Sequence, residues 1–198
     1  SCGMVRPDRS LGSNMGCQHM RCLVLALLST LLGAHGVAVK AAETDPWSPV
    51  RGLLGRWEGT TNGQPGAGAV TREYTFVLRD RFVREVNTSR YPPQEKNLKG
   101  EIHEHIGMIS YDKAAKTLVL RQFHVEGFVN TYRQLAVGSG ARSLVFLSEG
   151  FENLSTAWKA KETYEFIGDD EFIETFELAP PDKPFEVYST GRFRRVRE

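Results

Sequence analysis

The stretch that decides the fold is Gly55-Arg56-Trp57-Glu58-Gly59. It follows the short apolar segment from Trp47 to Leu54, which we interpret as a capping helix, and it precedes a long series of alternating apolar and polar residues. A glycine lets the backbone turn into a strand, and an indole is large enough to fill one end of a small barrel. We therefore predict a closed β-barrel whose first strand starts here, with Trp57 as the plug.

Turn signals divide the remaining chain into about ten strands. Tyr74 and Phe76 alternate with Glu73 and Thr75, as expected for a strand that buries one face. No segment after residue 55 has a persuasive 3.6-residue apolar period, which favours an antiparallel meander over a parallel sheet with helical crossovers. Closure removes the exposed edges of so long a meander, and a β-sandwich is the alternative. The predicted strands are 56–62, 69–79, 82–89, 101–111, 117–127, 128–137, 143–149, 156–167, 171–179 and 185–196.

The N-terminal region reads as a targeting segment. Arg21 precedes an apolar run from Cys22 to Leu32, and small residues follow it up to Ala41 and Ala42. This is the layout of a secretory signal peptide, and the run is too short for a transmembrane helix of about 20 residues. We predict an upstream extension and signal peptide over 1–42, cleaved near Ala42, and one barrel domain over 43–198. The mature protein would be secreted or periplasmic, and a retained N-terminal anchor is the alternative.

Charge and cysteine content limit the function classes. The chain has 25 basic and 24 acidic residues, and without residues 1–42 the balance is 21 to 23. Such a balance gives no support for a nucleic-acid partner. The three cysteines, Cys2, Cys17 and Cys22, all precede residue 43, so the predicted mature domain has neither a disulfide nor a thiol nucleophile.

The candidate ligand-binding residues lie in the middle of the chain. Four polar residues occupy even-numbered positions and would lie on one face of an unbroken strand: His124, Glu126, Asn130 and Tyr132. If that face pointed into the barrel, these side chains would orient a ligand. On the outer face the same residues would be an ordinary solvated surface. The predicted ligand-binding set is His103, His105, Arg121, His124, Glu126, Asn130 and Tyr132.

The three histidines are not predicted to form a metal site. The predicted strands 101–111 and 117–127 form a hairpin. If it turns symmetrically about Ala114, His105 lies opposite Phe123, and His124 lies opposite Glu104 on the other face. Only a bulge or a shifted turn would bring them together, and zinc requires ligands about 2.0–2.1 Å from one ion. No metal ligand is therefore assigned.

Three stretches of the sequence together resemble the calycin group. They are Leu53 to Gly59, Gly107-Met108-Ile109-Ser110-Tyr111-Asp112, and the closing stretch from Tyr188 to Arg195. This group contains lipocalins, fatty-acid-binding proteins and nitrobindin-like haem barrels, and the chain is most similar to its uncharacterised exported bacterial members. The resemblance implies that Arg192 or Arg194 packs over Trp57 as part of the barrel plug. It also raises haem as a cofactor, although this chain has no histidine after His124 to serve as a late axial ligand.

We find no nucleophile or phosphate-binding motif and assign no catalytic residue. The predicted function is non-covalent binding of a small hydrophobic or amphipathic molecule in the barrel, without a required cofactor. Two alternatives stay open. One is a haem- or metal-dependent isomerase or hydrolase, and the other is a filled barrel that acts as an interaction module.

Overall fold

A computed structural model describes residues 45–95, 97–138 and 140–197. Ten antiparallel strands form a closed barrel in which each strand pairs with its neighbours along the chain, and β1 also pairs with β10. The strands are β1 (Gly55–Gly63), β2 (Gly68–Val77), β3 (Phe82–Tyr91), β4 (Glu101–Asp112), β5 (Thr117–His124), β6 (Val129–Leu135), β7 (Ser143–Glu152), β8 (Lys159–Phe166), β9 (Glu171–Ala179) and β10 (Glu186–Arg195).

The predicted all-β architecture is confirmed. All ten predicted strands are present, and the pairing of Trp57 with Arg195 begins the seam that closes the barrel. The predicted extension and signal peptide over 1–42 lie outside the described residues. Within the described part of the chain, no helix has the length and apolar character needed to cross a membrane.

The predicted capping helix from Trp47 to Leu54 is wrong. The segment forms turns followed by a three-residue 3-10 helix, Arg51–Leu53. Pro49 and Gly52 are poor residues for a regular helix, and Gly55 turns the chain into β1 with a φ of 108°. The segment nevertheless packs against the barrel, because Val50 and Leu53 are buried in its core.

Aromatic side chains fill one half of the barrel interior. Phe172 lies between Trp57 and Phe193, with ring centroids 4.7 Å and 4.6 Å away. This packed layer lies where β1 and β9 begin and β10 ends, and further buried residues from all the other strands complete it. They are Tyr74, Val83, Ile109, Leu118, Leu120, Tyr132, Leu144, Phe146 and Tyr164.

Trp57 is held at the centre of this layer. Its side chain is 1% exposed, and its indole Nε1 donates a hydrogen bond of 2.6 Å to the Leu53 carbonyl. The bond satisfies the one polar group of the indole, which would otherwise be costly to bury. The 3-10 segment and the first strand are thereby fastened together.

Candidate functional site

The other half of the barrel holds a cavity of about 600 Å³. Its walls come from the ends of β1, β3, β5, β7 and β9 and from the beginnings of the other strands, so it lies beyond the packed layer. Phe176 and Leu178 provide an apolar wall on β9, which lies across the barrel from β4 and its predicted polar residues, and Phe151 on β7 adds to the apolar lining. A cavity of this size is typical of small-molecule sites.

Six of the seven predicted ligand-binding residues line this cavity. Five of them lie on strands and reach it because the inward-facing residues of β4 have odd numbers, whereas those of β5 and β6 have even numbers. Glu126 lies in the turn between β5 and β6. The six residues are His103, His105, His124, Glu126, Asn130 and Tyr132.

Arg121, the seventh predicted ligand-binding residue, does not line the cavity. It lies between the inward-facing Leu120 and Gln122, so the alternation of the strand points it outward. There its guanidinium pairs with Glu152 and lies 5.4 Å from the ring centroid of Phe123. Both partners are solvent-accessible, which makes this an ordinary surface ion pair.

The three histidines converge, contrary to the sequence prediction. The turn between β4 and β5 contains four residues, and Asp112 pairs directly with Thr117. The Asp112 carboxylate accepts hydrogen bonds from the backbone amides of Ala114 and Ala115, and Lys116 adopts a positive φ of 53°. The register therefore differs by one residue from a turn centred on Ala114, which moves every β5 side chain to the other face. As a result, His105 lies opposite His124.

The histidine cluster comprises His103, His105 and His124. One ring nitrogen from each can be chosen so that all three lie within 4.8 Å of one another. The closest pair is His124 Nδ1 and His103 Nε2, 3.3 Å apart. The other nitrogen of His103, Nδ1, is 2.8 Å from Oε1 of Glu126. Three imidazoles in this arrangement could bind a metal ion, a hydrogen-bonding ligand or a proton.

His105 and His124 are the more buried members of the cluster. His105 Nε2 lies 3.3 Å from Glu85 Oε1, but neither ring nitrogen of His105 has a hydrogen-bond partner among the described residues. Phe128 stacks on the His124 ring at a centroid distance of 4.2 Å. Burial, reinforced by the neighbouring His105 and His103, lowers the pKa of His124 to about 3, so this imidazole is neutral at physiological pH.

A buried charged layer lies between the cavity and the packed aromatics. Arg72 on β2 donates two hydrogen bonds to Glu174 on β9, at 2.6 Å and 3.1 Å. Its Nε also donates to Asn87 Oδ1 at 2.9 Å and lies 3.3 Å from Glu85. The guanidinium thus joins three strands across the interior, where an unpaired charge would be strongly unfavourable.

Two glutamates of this layer have opposite pKa shifts. Burial acts to raise the pKa of Glu85, but the positive charges of His105 and Arg72 outweigh it and lower the value to about 2. Burial raises the pKa of Glu162 to about 8, and the negative charges of Glu174 and Glu85 reinforce this shift. At neutral pH the layer therefore contains an ionised Glu85 and a protonated Glu162.

Sequence reasoning missed this charged layer, although the signal was present. The charged residues of this layer lie two positions from buried apolar residues, and therefore on the same face of their strand. Arg72 lies between Val70 and Tyr74 in this way, and Glu162 lies between Ala160 and Tyr164. A charge in phase with a buried face is rarely accidental. Gly107 opposite Glu85 is a further sign, because a Cβ there would lie 2.4 Å from Glu85 Oε2.

The cation over Trp57 is Arg195, not the predicted Arg192 or Arg194. Its guanidinium carbon lies 4.3 Å from the indole centroid. Arg192 and Arg194 point outward, because they alternate with the inward-facing Phe193, and both pair with Glu171 on the outer surface. Arg195 also donates to the backbone carbonyls of Gly52 and Leu54, so it fastens the 3-10 segment over the packed end.

Comparison with known proteins identifies the fold. No protein family and no curated protein matches the sequence. The crystal structure of Rv2717c from M. tuberculosis is similar, with a TM-score of 0.56 and 15% identity over 77% of this chain and 98% of that chain. A de novo designed fluorescence-activating β-barrel gives a TM-score of 0.36 and 12% identity over 72% of this chain and 93% of the designed one, too weak a likeness to carry an argument. The chain is a closed, ten-stranded antiparallel barrel that shares its overall fold with Rv2717c.

Proposed function

We propose that this chain is an exported binding protein that holds one small amphipathic molecule in the barrel cavity. The observation that carries the proposal is the division of the cavity into an apolar wall and a polar floor. Phe151, Phe176 and Leu178 are partly exposed to the cavity, whereas Asn87, Gln122 and Asn130 at its floor are at least 95% buried. A ligand with an apolar body and one polar end fits this division.

The polar floor retains hydrogen-bonding capacity for such a ligand. Asn130 donates from Nδ2 to the Tyr132 hydroxyl at 2.9 Å, but its Oδ1 has no hydrogen-bond partner among the described residues. A buried acceptor without a partner costs about 1–3 kcal/mol, which a ligand donor would recover. The apolar wall would supply affinity of about 2.5 kcal/mol for each ~100 Å² that the ligand buries.

We also propose that the barrel belongs to the calycin group and that residues 1–42 direct its export. The first proposal rests on the Gly-x-Trp opening at Gly55 and on the arginine that packs over Trp57. The second rests on the apolar run from Cys22 to Leu32, followed by Ala41 and Ala42. Expression of the full chain in a bacterium tests export. A periplasmic product that starts after Ala41 or Ala42 supports it, and an uncleaved cytoplasmic product contradicts it.

Native mass spectrometry of the freshly purified protein tests ligand binding directly. A reproducible adduct of a few hundred daltons supports the proposal, and an adduct with a Soret absorption band would indicate haem instead. Titration with 1-anilinonaphthalene-8-sulfonate, an amphipathic fluorescent probe, provides a second readout. We expect saturable binding at one site per chain. A protein without an adduct that also fails to bind the probe would contradict the proposal.

A matched pair of variants identifies the site of binding. Leu178→Trp adds bulk within the cavity, where it takes up space that the ligand would fill, whereas Val187→Trp adds the same indole to the outer surface of the neighbouring strand, where Val187 is 57% exposed. Leu178→Trp should weaken probe binding by about tenfold or more, and Val187→Trp should leave it unchanged. Equal effects of the two substitutions would show that the probe binds elsewhere.

A further inference from the structure

The histidine cluster is better built for a metal ion than for a purely organic ligand. Its members come from two adjacent strands, with His103 and His105 on β4 and His124 on β5, so the barrel wall fixes their spacing. All three side chains line the cavity. Three imidazoles that face a cavity are the ligand set of many catalytic zinc sites, which keep a fourth position open.

The observed distances agree with tetrahedral coordination. Two nitrogens bound to one zinc ion at about 2.0–2.1 Å, with tetrahedral angles between them, lie about 3.3–3.4 Å apart. His124 Nδ1 and His103 Nε2 are 3.3 Å apart. One ring nitrogen from each of the three histidines can be chosen so that all three lie within 4.8 Å of one another.

Carboxylates lie behind two of the three rings. Glu126 is 2.8 Å from Nδ1 of His103, on the side of the ring away from His124, and Glu85 is 3.3 Å from Nε2 of His105. Metal-binding histidines usually donate their second ring N–H to a carboxylate, which fixes the ring and makes it a better ligand. This leaves Nε2 of His103 for the ion. Both ring nitrogens of His105 are buried without a hydrogen-bond partner among the described residues, so either is available, and Nδ1 is the one away from Glu85.

From this geometry we propose that His103, His105 and His124 bind one divalent transition-metal ion, zinc in the first instance, with an open coordination position facing the barrel cavity. Imidazole nitrogens suit zinc, copper, nickel and iron and disfavour magnesium and calcium. Glu126 and Glu85 are positioning residues in this site. A cavity ligand with an oxygen or nitrogen donor at its polar end would occupy the open position.

Two other arrangements compete with this site. In the first, the histidines form a hydrogen-bonded chain from His124 through His103 to Glu126 and no metal binds. In the second, the ion binds at the mouth between Glu101, His103 and Glu126, whose donor atoms also lie within 4.8 Å of one another. The second arrangement needs Glu101 and does not need His105.

The test is a zinc titration of the full chain, stripped with a chelator and followed by calorimetry. Cys2, Cys17 and Cys22 could bind zinc themselves, so all proteins carry the background Cys2→Ser, Cys17→Ser and Cys22→Ser. We expect one zinc per chain. His105→Gln and His124→Gln should each lower the affinity at least about 100-fold, and Glu126→Gln about 10- to 100-fold. Glu101→Gln, the matched control, should change it less than about threefold.

Cobalt(II) provides a readout that a structural defect would not imitate. Tetrahedral cobalt bound by three imidazoles should give intense visible d–d bands in the background protein, and these bands should vanish in His105→Gln. If the glutamine variants lose stability, the parent protein still shows whether zinc binds, because saturating zinc should raise its melting temperature, and Glu101→Gln still distinguishes the two sites. A parent that binds less than about 0.2 zinc per chain would overturn the proposal. Loss of binding in Glu101→Gln, with His105→Gln unaffected, would also overturn it.

Discussion

Arg72 on β2 and Glu174 on β9 form a two-pronged ion pair across the barrel interior, with N–O distances of 2.6 Å and 3.1 Å. In the barrel wall the two strands are separated by β1 and β10, so the pair spans the interior and does not follow the sheet. It ties together two parts of the wall that lie three strands apart, at the floor of the cavity. The charged layer therefore supports both the shape of the barrel and the floor of the proposed binding site.

Arg72→Met should destabilise the protein by about 3–5 kcal/mol, because it leaves Glu85 and Glu174 buried without their cation. Arg121→Met is the control, since Arg121 forms its ion pair with Glu152 on the outer surface. We expect a change of at most about 1 kcal/mol for the control. Urea unfolding monitored by circular dichroism measures both, and similar values for the two variants would refute the importance of the buried layer.

Glu162→Gln should change how stability depends on pH. Burial raises the pKa of Glu162 from 4.5 to about 8 in the folded protein. The stability contributed by its protonated form is therefore complete below pH 4.5 and is lost as the pH rises towards 8. Glutamine does not ionise, so the variant should gain stability relative to the parent over this range, by up to about 1.4 kcal/mol per pH unit. Unfolding at several pH values in the presence of a chelator measures the difference in stability between the variant and the parent. A difference that does not vary with pH would show that Glu162 is already ionised in the folded protein, which contradicts the prediction.

Trp57→Ala should cost about 3–5 kcal/mol of unfolding free energy, as expected for truncation of a buried aromatic side chain. Trp57 is 1% exposed, whereas Trp158 is 46% exposed and serves as the control. Trp158→Ala should change stability by about 0.5 kcal/mol or less. A loss below about 1 kcal/mol for Trp57→Ala would show that the indole does not plug the barrel.

Arg195→Ala should destabilise by about 2–3 kcal/mol, because it removes the cation over Trp57 and the hydrogen bonds to the Gly52 and Leu54 carbonyls. The neighbouring Arg194 pairs only with Glu171 among the described residues, and its side chain is 77% exposed. Arg194→Ala should therefore have little effect. Thermal unfolding of the two variants under identical conditions measures the difference. A larger loss of stability for Arg194→Ala would contradict the assignment of Arg195 as the arginine that packs over Trp57.

The fold was largely predictable because it depends on local signals. Turn residues separate the strands, and alternation such as that of Tyr74 and Phe76 is visible in several of them. Neither signal depends on long-range pairing. The capping helix was predicted wrongly because apolar composition alone suggested it. Burial of Val50 and Leu53 against the barrel end needs only a 3-10 turn, and Pro49 and Gly52 oppose a longer helix.

The candidate site was only partly predictable, because it depends on register. The residues that converge were predicted as candidates. Whether His124 lies opposite His105 depends on the pairing register of β4 and β5, and the turn after Asp112 shifts this register by one residue from the predicted one. The backbone amides of Ala114 and Ala115 donate hydrogen bonds to the Asp112 carboxylate and stabilise the turn in this register, which sequence patterning does not resolve. Similarly, alternation distinguishes Arg195 from Arg194 only once the inward position of Phe193 is known.

The packed layer around Trp57, Phe172 and Phe193 also governs the kinetics of exchange. Because it closes one end of the barrel, a molecule held in the cavity has to enter and leave through the same mouth. Substitutions that narrow the mouth should then slow association and dissociation by equal factors and leave the equilibrium constant unchanged. Substitutions at the polar floor should mainly alter residence time. Measurements of both the association and the dissociation rate constants can therefore distinguish residues that control entry through the mouth from residues that bind the ligand.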